Sequence, residues 1–165
     1  HVAVIGIGGL GHMALQFAKA WGCEVTALTT NLSKAEEARR FGAHHVEALE
    51  QLGNLPGRFD LVINTVNHAL PWGEVMASLA PRGRLHQLGA VLDPIQVSAF
   101  DLIMARRSIT GSPTSSPASL MKMVEFCVRH NISPEVEHLP MERINEAVER
   151  LRKGDVRYRF VLDQV

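Results

Sequence analysis

Residues 6–11 read Gly6-Ile7-Gly8-Gly9-Leu10-Gly11, and no other feature restricts the possible folds of this chain as strongly. The GxGxxG spacing alone is weak. Here it follows an apolar run, Val2-Ala3-Val4-Ile5, and opens a segment with Leu10, Ala14, Phe17, Ala18 and Trp21 at helical spacing, closed by Gly22. Strand, glycine loop and helix in that order are what a pyrophosphate site requires. The first glycine makes the tight turn, the second lets backbone approach a phosphate, and the third lets helix and strand close up. Amides at the helix start then face the anion. The competing reading is a tight strand-to-helix turn with no ligand.

The remaining sequence continues the alternation. Val25 to Thr30 reads as a strand, and Ser33-Lys34-Ala35-Glu36 as a capping box opening a helix that ends near Phe41 with Gly42 at its cap. His45-Val46 reads as a short strand and Asp60 to Val66 as a clear one. Leu70 to Leu79 reads as a helix, Arg84 to Leu88 as a strand, Ser98 to Met104 as a short helix and Ser108 to Thr110 as a sixth strand. Ser116-Pro117 sets an N-cap and a first-turn proline before a helix through about His130. Short connections between alternating elements imply an α/β fold, a doubly wound parallel sheet of the Rossmann type covered on both faces. The tail differs: Glu135 to Leu139 extended, Met141 to Lys153 helical, Arg157 to Leu162 extended. It is expected as a C-terminal strand-helix-strand appendage, giving a dinucleotide-binding unit at 1–133 and a separate segment at 134–165.

Composition removes several function classes. The 165 residues carry 17 basic and 17 acidic side chains, so no net charge draws the chain to nucleic acid or an anionic membrane. With 46% hydrophobic and 21% charged residues it is an ordinary globular chain, and its apolar runs are too short to span a bilayer. Cys23 and Cys127 stand apart, outside any CxxC or Cys/His cluster, which fits reduced thiols and a cytoplasmic location. The chain opens at His1 directly into a strand, and we expect it to be a piece of a longer protein.

The end of the second strand selects the nucleotide. An NAD site usually places an Asp or Glu about 20 residues past the loop, on the ribose 2′-hydroxyl. Thr29-Thr30-Asn31 contains no acid. A 2′-phosphate therefore meets no repulsion, Lys34 adds a cation, and the hydroxyls of Thr29, Thr30 and Ser33 can donate to phosphate oxygens. NADP(H) is favoured over NAD(H). Ser33 could equally be a helix cap and Lys34 a solvated lysine. The missing acid also disfavours a methyltransferase, whose S-adenosylmethionine ribose wants a carboxylate there.

With those residues placed, the chain resembles the zinc-type medium-chain alcohol dehydrogenases, above all the cinnamyl-alcohol-dehydrogenase-like, NADP-dependent aldehyde reductases. The likeness is carried by Gly6 to His12, Asp60 to Val66, Ile109-Thr110-Gly111-Ser112, Asn145-Glu146-Ala147 and, most specifically, Asp155-Val156-Arg157-Tyr158-Arg159-Phe160-Val161. It runs from end to end but covers only the latter, coenzyme-binding half of such an enzyme. It implies that Gly6, Ile7, Gly8, Gly9, Leu10 and Gly11 hold the pyrophosphate, and Thr29 to Lys34, with Thr30, Asn31 and Ser33, the 2′-phosphate. Thr65 and Val66 would flank the cofactor, and Gly89 with Ser112, Pro113 and Thr114 would line its nicotinamide end. Arg159 would reach back to the pyrophosphate. The resemblance further implies a small alcohol or aldehyde substrate for the full-length enzyme and pairing of two copies through Arg107 to Gly111.

The catalytic zinc domain of that family is missing from these residues. A catalytic zinc needs three protein ligands around one open site. The eight histidines are scattered, His44 and His45 being adjacent on a strand and so opposed in direction. His12 reads as packing or a polar cap, and Asp60 and Asp101 as local hydrogen-bonding residues. No catalytic residue and no metal site are assigned, and zinc is expected only in the missing half. The piece alone is expected to bind cofactor without turnover. Alternatives are a stand-alone nucleotide-binding or redox-sensing module, and a zinc-free quinone-reductase-like relative.

Overall fold

The computed structural model describes residues 1–164. Strands β1 (Val2–Ile5), β2 (Val25–Thr29), β3 (His45–Ala48), β4 (Phe59–Asn64), β5 (Leu79–Gln87) and β6 (Ser108–Gly111) form one sheet in the order β3-β2-β1-β4-β5-β6. All five pairings are parallel, and Ile5 lies between Leu28 of β2 and Asn64 of β4. Parallel neighbours need crossovers, supplied here chiefly by helices α1 (Gly11–Ala20), α2 (Ala35–Arg40), α3 (Trp72–Ser78) and α4 (Ala99–Ile103), while α5 (Pro117–His130) follows the sixth strand. This is the doubly wound arrangement the sequence implied. The tail forms β7 (Val136–Pro140), α6 (Ile144–Arg152) and β8 (Arg159–Asp163), with β7 and β8 parallel in their own two-stranded sheet.

A strand covered on both faces should be apolar throughout, and every residue of β1 is buried. Its alternation feeds two cores. Ala3 and Ile5 join Leu28, Phe59, Val62, Met76 and Leu85 on one face, while Val2 and Val4 join Leu15, Val25, Ala38 and Phe41 on the other. The second core also holds Tyr158 from the tail, which is 2% exposed. Burying a side chain of that size is worth about 2 kcal/mol and anchors the C-terminal unit against α1 and α2.

Three departures of local boundaries from the sequence reading have clear physical causes. The helix expected from Ser33 starts later, because Asn31 takes the capping role: its Oδ1 accepts from the Ser33 amide at 2.9 Å and opens a 3-10 turn, Leu32–Lys34, ahead of α2. Asn side chains favour this two-residue reach to the backbone. The helix expected from Leu70 begins at Trp72, since a residue before proline is disfavoured in helical conformation and Leu70 precedes Pro71. The fifth strand begins at Leu79 rather than Arg84, accommodating Pro81-Arg82-Gly83 through a register shift between Phe59 and Leu61. A 3-10 segment at Leu49–Asn54 was not legible; it drives Leu52 into the core from a largely polar stretch. By contrast, Ser116 does cap α5, accepting from the Ser119 amide with Pro117 in the first turn. Asp101, read as a local partner, closes a capping box with Ser98 at α4.

Candidate functional site

The glycine loop sits where β1 and β4 end side by side, the crevice in which open parallel sheets bind ligands. Gly6 has φ +89°, and a Cβ there would lie 2.5 Å from the Val66 side chain. Gly11, the first residue of α1, is tighter still: its Cβ would fall 1.9 Å from the Gly6 carbonyl oxygen. Thr65 locks the neighbouring strand end, its hydroxyl donating to the Ile5 carbonyl at 2.8 Å. Gly8 is the opposite case. It is exposed, and a Cβ there would meet nothing within 4 Å. Helix α1 opens at Leu10 with no side-chain cap and no acid in its first turn, so its leading amides carry the positive end of the helix without local neutralisation.

A cleft of about 450 Å³ lies against this loop. It is lined by residues 5–10 of the loop, residues 28–31 at the end of β2, Lys34, and residues 65–68 after β4. The structure thus gathers Gly6, Ile7, Gly8, Gly9, Leu10, Thr29, Thr30, Asn31, Lys34, Thr65 and Val66 around one space. Asn67 and His68 line it as well. They were not anticipated, although their position directly after Thr65-Val66 was available as a signal.

At the end of β2 the polar groups have distinct fates. Thr29 is buried and its hydroxyl is taken up by Asn31, accepting from the Asn31 amide at 3.1 Å and donating to the Asn31 carbonyl at 3.3 Å. It shapes the turn. Thr30 is exposed and borders the cleft. Ser33 is not among the residues lining the cleft, and its amide is taken by the Asn31 cap. Burial, then the charge of Arg157, push the Lys34 amine below its ordinary value. The nearest acid of α2, Glu37, is occupied: burial raises its carboxyl, but the Tyr158 hydroxyl and the Arg157 guanidinium outweigh this and hold it below the ordinary range. Burial and the bond to Glu37 push the Tyr158 phenol up.

Other expected residues stand outside this cleft. Gly11 lies beneath the loop. Gly89 is stacked behind Val66, its amide donating to the Asn64 carbonyl at 3.0 Å. Ser112, Pro113 and Thr114 are exposed beyond β6, with the Ser112 hydroxyl 3.1 Å from His86 Nε2. Arg159 reaches the loop by its carbonyl side, Nε and Nη2 donating to the Gly9 oxygen at 3.1 and 2.9 Å.

A second groove, about 710 Å³, runs between the loop and the C-terminal unit. Gly8, Gly9, Leu10, Lys34, Thr65 and Gly154 border both spaces. Its far wall is the apolar face of α6, where Ile144, Val148 and Leu151 stay open to solvent while Ala147 is buried. Among the described residues no three His, Cys, Asp or Glu side chains gather as a metal site would require, so these residues do not fit a catalytic zinc. No helix among them is long and apolar enough to cross a membrane.

Comparison with known proteins agrees with this geometry. Residues 9–129 match the family model described as zinc-binding dehydrogenase. An aldehyde reductase of Synechocystis sp. is 47% identical over 98% of this chain and 49% of its own length. An NADP-dependent alcohol dehydrogenase of Mycolicibacterium smegmatis is 44% identical over 98% of this chain and 47% of its own. A solved cinnamyl alcohol dehydrogenase from Sorghum bicolor superposes with a TM-score of 0.93 at 35% identity, over 99% of this chain and 47% of that one. The chain spans about half the length of the curated relatives it matches. Its fold, its glycine loop and these relatives make it a member of the zinc-binding dehydrogenase family, corresponding to that family's cofactor-binding part.

Proposed function

We propose that this chain is the NADP(H)-holding half of an oxidoreductase that interconverts alcohols and aldehydes. The observation that carries the reading is the cleft itself: an open Gly8 beside an uncapped helix start, with Lys34 and no carboxylate at the end of β2. When bound, the nicotinamide supplies or takes up the hydride. The chain's own residues do the holding. Gly8 admits the pyrophosphate to backbone contact, the leading amides of α1 receive its charge, and Thr30 with Lys34 receive the 2′-phosphate. Thr65 and Val66 border the path toward the nicotinamide end, which Gly89 and the segment 112–114 would complete. Thr29 serves this site by shaping the turn.

Residues 1–133 then act as the dinucleotide-binding unit, and 134–165 as the segment that packs on the catalytic half, where the zinc ligands belong. The open apolar face of α6 supports that division. The chain by itself holds cofactor without turnover. Free Cys23 and Cys127 accord with a cytoplasmic setting.

The test is nucleotide selectivity. Lys34→Ala is expected to weaken NADPH binding by roughly ten- to a hundredfold, the scale of one hydrogen bond to a charged group, and to leave NADH nearly unchanged. Fluorescence titration of both nucleotides reads this. Equal losses for both would remove Lys34 from the 2′-phosphate.

Two copies are proposed to pair along β6 from Arg107 to Gly111, since β6 is an edge strand and Phe100 and Ile103 on α4, with Met104 at its C-cap, lie exposed just before it. Sedimentation is expected to show the mass rising with concentration toward twice 18.2 kDa. A constant monomer mass would reject the pairing.

A further inference from the structure

His12 joins the glycine loop to the C-terminal unit through both of its ring nitrogens. The side chain is fully buried on the first turn of α1, stacked on Tyr158 with 4.9 Å between ring centroids and edge-on to Phe41 at 5.3 Å. Its Nδ1 lies 3.0 Å from the Gly8 carbonyl oxygen, and the Glu135 amide lies 3.2 Å from Nε2. A carbonyl oxygen can only accept and a backbone amide can only donate. Both partners therefore demand the same ring: neutral, with the proton on Nδ1 and the lone pair on Nε2.

The Gly8 contact has a consequence across the peptide plane. In a trans peptide the carbonyl and the following amide point in opposite directions. The Gly8 oxygen takes two bonds from His12, one from the backbone amide at 3.0 Å and one from the ring, and this double pinning toward α1 fixes the direction of the Gly9 N–H. Arg159 does the same for the next plane, holding the Gly9 oxygen and so directing the Leu10 N–H. We infer that His12 is a positioning residue for the cofactor pyrophosphate, setting the Gly9 amide through the Gly8 carbonyl and tying that setting to the docking of the C-terminal unit through Glu135. This rests on the proposed nucleotide site and assigns a residue that site does not itself contain.

The link is sensitive to protonation. A second ring proton would sit on Nε2, facing the Glu135 N–H. The charged groups around the ring do not remove this conflict. Arg159 on β8 opposes a further positive charge; the Glu135 carboxylate favours one but is already paired with Arg40 at 2.5 Å. Beyond Tyr158 stand Lys34, Arg157 and Glu37. Burial lowers the imidazole below its ordinary 6.5, and the Gly8 carbonyl only partly offsets this. The unfolded chain therefore takes up the proton first. The contribution of this contact is complete above pH 6.5 and is lost as pH falls through the folded value.

Nitrogen NMR of the labelled chain at neutral pH is expected to show His12 protonated at Nδ1 and bare at Nε2, together with slow exchange at the Glu135 amide. His12→Leu keeps the bulk and removes both ring contacts, leaving only the residue-12 backbone amide on the Gly8 carbonyl; NADPH and NADH are expected to weaken alike, by roughly tenfold or more. His12→Asn places an amide near Nδ1 and should restore most of the affinity. His12→Gln reaches toward Nε2 and should restore the Glu135 protection but not the affinity. As pH falls below 6.5 and through the folded value of His12, NADPH affinity should fall more steeply for the wild type than for His12→Asn, since the 2′-phosphate titrates equally in both. A proton on Nε2, titration at or above the ordinary value, or affinities of His12→Leu within twofold of wild type would overturn the inference. Should the wild-type chain bind neither nucleotide, the positioning role falls with the nucleotide site, while the NMR and exchange results separately decide the His12 link.

Discussion

Replacing Gly11 with alanine is expected to lower the melting temperature of the chain by roughly 10 °C and to abolish nucleotide binding. The added Cβ would fall 1.9 Å from the Gly6 carbonyl oxygen, far inside contact distance. The neighbour is backbone at the end of the central strand, so no side chain can swing aside. Overpacking of this kind costs about 3 kcal/mol. For a chain of this length that corresponds to roughly the shift stated. Relief would require α1 to move away from β1, carrying its leading amides out of the cleft. Circular dichroism melts of wild type and variant decide it; an unchanged melting temperature would show that helix and strand are not in this contact.

Replacing Gly8 with alanine should give the reverse pattern. A Cβ there meets nothing within 4 Å, and Gly8 is not among the glycines with positive φ. Stability should hold within about 0.5 kcal/mol or rise slightly, because the unfolded chain loses freedom. Nucleotide binding should nonetheless fall by roughly tenfold or more, for NADPH and NADH alike, since the methyl group occupies the approach of the pyrophosphate. Together the two variants separate the glycine that closes the fold from the one that receives the ligand. Loss of stability in Gly8→Ala, or unchanged binding with it, would count against the assignment.

The sheet was readable because its evidence is local and repeated. Val2 to Ile5, Val25 to Thr29 and Phe59 to Asn64 are short apolar runs set off by glycines and caps, and alternation with helical segments leaves little choice of topology. The glycine loop was readable for the same reason, since sequence neighbours build it. Illegible features depend on contacts between distant residues. Thr29 looks like a free phosphate ligand until the turn to Asn31 claims its hydroxyl. Arg159 reads as reaching the pyrophosphate, and its bonds to the Gly9 carbonyl show only in the fold. His12 reads as packing or a polar cap, because Glu135, 123 positions away, supplies its second bond. Tyr158 likewise shows its role only once the tail folds back into the core beside Phe41. The apolar face of α6 shows its exposure only in the fold, where Ile144, Val148 and Leu151 stay open while Ala147 is buried.

The central claim is that the cleft beside Gly8 and Lys34 holds NADP(H). Its most direct test is parallel fluorescence titration of NADPH and NADH into the wild-type chain and its Gly8→Ala variant, at matched salt. The account expects NADPH to bind the wild type about tenfold or more tighter than NADH, and both to weaken in the variant while its melting temperature holds. Equal or tighter binding of NADH, or nucleotide binding indifferent to Gly8, would contradict it.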